Sequence, residues 1–124
     1  MILMIEKDKS DFLTELKSYE TEYINLNNLA WFKFKVVETG KISRYGNCTY
    51  VALCFITPSK EHDLGMIEDE VAEQLVSDFE KSMKSKEKEI YDIHERLCCL
   101  QMAFINECKE NGEDNGTYWI HTRW

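Results

Sequence analysis

"MIEDEVAEQLVSDFEKSMKSKEKEIYDIHERLCCLQMAFINECKE", Met66 to Glu110, contains neither glycine nor proline. Its apolar residues Val71, Leu75, Phe79, Met83, Ile90, Ile93, Leu97, Leu100 and Phe104 recur near the helical period, so one stripe stays in register along the whole segment. A single helix of this length would run about 67 Å, against about 30 Å for a small domain, and its far half would need a partner chain to cover it. The weak point is "KSMKSKEKE", Lys81 to Glu89, where Met83 alone keeps the stripe and Ser85 offers a cap for a second helix. The segment therefore predicts a long helix or a collinear helix pair over 66–110, and a homodimer formed through it.

Upstream the pattern changes period. "WFKFKVVE" from Trp31 alternates, with Phe32, Phe34 and Val36 on one face and Trp31, Lys33 and Lys35 on the other. "TGKISRYGN" supplies turn glycines, and "CTYVALCFIT" follows as a strand apolar on both faces, ended by Pro58. A strand of that kind belongs in the middle of a sheet covered twice. The pair reads as a hairpin over about 31–57.

At the start of the chain, "ILMI" reads as a short strand. Ser10 is an N-cap candidate, and Phe12, Leu16, Tyr19, Tyr23 and Leu26 follow at spacings of three and four, which predicts an amphipathic helix from Asp11 to about Asn27. At the other end "NGEDNG" is a loop, and "TYWIHTRW" alternates as a strand over 117–124. The sum is an α+β fold in a single domain spanning 1–124, with an N-terminal helix, a small and mostly antiparallel sheet, and the long helical segment.

Fifteen Lys and Arg against 23 Asp and Glu leave a net charge of −8, which disfavours nucleic acid as a partner and favours a basic protein. No apolar run approaches the roughly 20 residues a bilayer crossing needs, and "MILMIEKDKS" is too short for a secretory h-region, so a cytoplasmic protein is expected. An odd number of cysteines, five, then reads as free thiols.

The charge is unevenly spread. Residues 31–60 carry +4 and residues 61–80 carry −8. "EHDLGMIEDEVAEQLVSDFE" holds eight carboxylates and no Lys or Arg, and on a helix Asp69, Glu70, Glu73 and Glu80 fall opposite the apolar stripe. Such a face either keeps the surface solvated or docks on a basic groove, where carboxylates stand in for phosphates. Trp119, Arg123 and Trp124 are further contact candidates, because Trp and Arg dominate interface energetics.

Two other readings compete. Trp31, Lys33, Lys35, Arg44 and Tyr45 interleave cations with aromatics, as a nucleotide or small-ligand binding face would, although outward lysines also protect an edge strand from pairing. His94 and Cys98 lie one helical turn apart, the spacing of two zinc ligands or of a thiol with its base, but Cys48, Cys54 or His121 would have to complete a metal set. In the same helix Cys108 falls in the apolar stripe and reads as packing.

Phosphate loops, zinc-protease signatures and nucleophile elbows are all missing, so no catalytic residue, cofactor or metal is assigned. The sequence thus favours a small acidic interaction protein of the kind viral, phage-like or other mobile elements encode, an inhibitor or modulator of a host nucleic-acid enzyme or defence protein.

Overall fold

In a computed structural model that describes residues 1–8, 19–45, 48–86 and 89–110, the chain forms two three-stranded sheets and two helices. The first sheet has β1 (Ile2–Asp8) at its centre. It pairs antiparallel with β2 (Tyr19–Asn25) and parallel with a short strand further along the chain. The second is an antiparallel meander of β3 (Lys33–Ile42), β4 (Thr49–Ile56) and β5 (Glu61–Glu68). Then come α1 (Asp69–Ser85), β6 (Ile90–Asp92), which is the parallel partner of β1, and α2 (Ile93–Glu110).

Among the described residues the expected N-terminal helix is absent: residues 19–25 are strand β2, while 9–18 lie outside the described residues. The physical reason is visible in "YETEYIN", where Thr21, Tyr23 and Ile24 favour extended backbone, and in β1, whose apolar residues need sheet partners. Leu3 and Ile5 of β1 are buried opposite Ile24 and Glu22. Leu26 continues the three-and-four spacing only by coincidence. It is buried at the start of a 3-10 turn, Leu26–Asn28, where the Asn25 side chain accepts from the Asn27 N–H at 3.1 Å.

The segment 66–110 is neither one helix nor a collinear pair. Met66, Ile67 and Glu68 finish β5, and α1 stops at Lys86, which takes the left-handed conformation (φ 55°) and donates its N–H to Ser82 O. Ser85 lies at the end of α1 and donates to that same carbonyl. Asp92 begins the second helix instead, accepting from the Glu95 N–H at 3.1 Å. Between the helices, Ile2 N–H donates to Glu89 O at 2.7 Å as the chain enters β6. Both helices keep the predicted stripe inward: Val71, Leu75 and Phe79 on α1, and Ile93, Leu97, Phe104 and Cys108 on α2, are buried. The stripes pack inside the chain, which removes the reason for a homodimer through this segment.

One core joins the layers. α1 lies against β4 and β5, α2 against β1, and the helices touch each other. Phe79 of α1 sits at its hub, edge-on to Phe32, Phe34, Phe55 and Tyr91 at centroid distances of 5.1–6.2 Å. The hairpin forms with Phe32 and Phe34 turned inward and β4 central as expected, but Val36, expected beside them, is exposed, and among the described residues β4 is covered on one face and not on both. The strand expected over 117–124 lies outside the described residues.

Candidate functional site

The eight carboxylates of 61–80 do not share one face, because β5 and α1 divide them. Glu61 of β5 pairs with Lys35 at 3.8 Å, and Asp63 accepts from the Gly65 N–H at 2.8 Å. Glu68 ends the strand and is only 1 % exposed; its carboxylate accepts from the Gln101 amide at 3.1 Å. On α1, Asp69 accepts from the Thr49 hydroxyl at 3.5 Å. Asp78 accepts from Arg96 Nε and Nη2, each at 3.0 Å, and from the Tyr91 hydroxyl at 2.6 Å.

Three carboxylates remain. Glu70, Glu73 and Glu80 are exposed and have no ion pair among the described residues. Glu70 and Glu80 are separated by about 15 Å of helix axis. Asp69 and Glu70 lie in the first turn, where the positive end of the helix favours anions. Lys81 and Lys84 follow Glu80, so the anionic face covers the first three turns and gives way to cations at the last. Of the sequence candidates, Glu70, Glu73 and Glu80 are thus open for contact and Asp69 is half-buried. Trp119, Arg123 and Trp124 lie outside the described residues.

The basic candidates do not converge. Trp31, Lys33 and Lys35 are exposed at the start of β3. Arg44, stacked over the Tyr45 ring at 5.5 Å, sits beyond its other end, about 30 Å away along an extended strand. A ligand touching one group cannot touch the other unless it spans the strand.

His94 and Cys98 are both exposed one turn apart on α2, and among the described residues no three His, Cys, Asp or Glu side chains converge as metal ligands. Cys54 is on β4, and Cys48 immediately precedes that strand. Burial, then nearby carboxylates, push the Cys54 thiol upward, and burial does the same for Cys48, against activation of either as a nucleophile.

Two clusters escape a reading of the sequence. His62 is buried on β5 with Nδ1 3.5 Å from Glu22 Oε2, which also lies 3.6 Å from Lys60 Nζ, so Glu22 of β2 meets both β5 and the residue before it. The Asp78, Tyr91 and Arg96 cluster ties α1 to β6 and α2. A recess of about 210 Å³ beside it is lined by Ile90, Tyr91, Asp92, Glu95 and Arg96. Residues of unlike spacing meet in each, and only the fold supplies the proximity. Among the described residues no helix is long and apolar enough to cross a membrane.

Comparison with family models, with curated proteins and with solved structures finds no match for this chain.

Proposed function

We propose that this protein is a small interaction module that binds a basic partner protein through the exposed carboxylates of α1, acting as an inhibitor or modulator rather than as a catalyst. The observation that carries the reading is selective: five of the eight carboxylates of 61–80 have internal partners, whereas Glu70, Glu73 and Glu80 stand in solvent along one helix. A rigid row of anions over about 15 Å suits a groove lined with Lys and Arg, and a groove that otherwise holds a phosphate backbone is the fitting class.

Charge at such a rim governs encounter and salt dependence, so a defined basic probe reads it out. Calorimetric titration with a nona-arginine peptide at low ionic strength should give measurable binding that weakens about tenfold in the variant E70K/E73K, with circular dichroism unchanged. Equal affinity for the wild type and the variant would refute the acidic-face reading.

A further inference from the structure

The second face of β4 is the unexplained part of the fold. Val51, Leu53 and Phe55 point into the core, whereas Ala52, Cys54 and Ile56 point the other way and are half-exposed. The strand is apolar on both faces, yet among the described residues only one face is covered.

Register places three rows across the open face. Lys33, Ile56 and Glu61 form the first, Lys35, Cys54 and Asp63 the second, and Val37, Ala52 and Met66 the third. None of the nine is buried; Val37 is 42 % and Met66 52 % exposed. The β3 edge of this face is therefore cationic, the β5 edge anionic and the centre apolar.

That arrangement complements itself. A second copy laid face to face about 10 Å away, related by a two-fold axis parallel to the strands and above β4, sets β3 over the β5 of its mate. Lys33 then faces Glu61 and Lys35 faces Asp63, each contact occurring twice. Val37 covers Met66, and Cys54 meets its own counterpart on the axis. α1 packs on the opposite side of the sheet, where Phe79 meets Phe34 and Phe55, so the acidic helices point outward and do not oppose the association.

We infer that the open face of the β3–β4–β5 sheet is a dimerisation surface that takes a second copy of this chain. Nine side chains a side is well below the 20–30 of a standard interface, so association is weak, with a dissociation constant on the order of 10–100 µM. The inference does not depend on the acidic-face function, because it concerns the other side of the sheet.

Sedimentation equilibrium of the full chain from about 1 µM to about 1 mM tests it. The expected result is a reversible monomer–dimer equilibrium that K35E weakens about tenfold and the swap K35E/D63K restores to within about threefold. Independently of any variant, a bismaleimide with a spacer of about 8 Å should link Cys54 to Cys54 in the wild-type dimer, identified by peptide mass. A monomer throughout, a dimer indifferent to K35E, or cross-links confined to Cys98 and Cys99 would each overturn the inference. So would a monomer whose Cys54 resists alkylation, since the chain itself would then cover the face.

Discussion

Replacing Asp78 by alanine should destabilise the fold more than any other change at a part-exposed position. Its carboxylate accepts two hydrogen bonds from the Arg96 guanidinium and one from Tyr91, whose side chain is 1 % exposed. The ion pair is part-exposed, with side-chain accessibilities of 31 % and 28 %, so screening holds its contribution to about 1 kcal/mol. Removing the acceptor also leaves a buried phenol without its partner, which costs about 1–2 kcal/mol. The expected loss is about 2–3 kcal/mol, or a melting temperature lower by about 6–15 °C in a domain of this size. Asp78→Asn, which keeps an acceptor for Tyr91, should lose about half as much. Urea unfolding of Asp78→Ala, Arg96→Met and the double variant measures the pair, with a coupling of about 1 kcal/mol expected. A loss below about 0.5 kcal/mol in Asp78→Ala, or strict additivity in the cycle, would refute the view that this carboxylate ties α1 to β6 and α2.

Lys86 occupies a left-handed C-cap, so Lys86→Gly should raise stability by about 0.5–1 kcal/mol in thermal melts. Burial first, then the hydrogen bond to Asp78, push the Tyr91 phenol well above its ordinary value of 10.0. The folded state then holds that proton more tightly than the unfolded chain, so stability is intact below pH 10.0 and falls as pH rises above it; Tyr91→Phe should flatten this alkaline decline in urea titrations. Iodoacetamide at about pH 8 should label exposed Cys98 and Cys99 before Cys48 and Cys54, and buried Cys108 last, as followed by intact-protein mass.

Much of the core was legible because burial and period agree. Phe34 and Phe55 in the hairpin, Val71, Leu75 and Phe79 on α1, and Ile93, Leu97 and Phe104 on α2 all point where their spacing sends them. The N-terminal error has the opposite cause. Tyr19, Tyr23 and Leu26 fit a helical spacing, but the apolar β1 draws Tyr19 and Tyr23 into a ladder, a long-range demand that no local period records.

The break in 66–110 was visible as a weak point, but its chemistry lay elsewhere. Asp92 and Glu95 have the spacing of a helix start, three residues apart before an apolar run, and that signal marks the second helix better than Ser85 does. Strand β6 is three residues long and exists only because β1 offers it an edge. At the candidate site, the acidic run was plain in the sequence, whereas the division of its carboxylates was not. Glu68 turns inward to Gln101 and Asp78 to Arg96, partners 33 and 18 residues away, so only the fold reveals which anions are left in solvent.

The most direct test of the proposed role is an amide-resolved NMR titration of the protein with nona-arginine. Shifts should concentrate at Glu70, Glu73, Ser77 and Glu80 and fade as salt is added. Shifts spread evenly over the acidic residues, or centred on Asp92 and Glu95, would contradict that role.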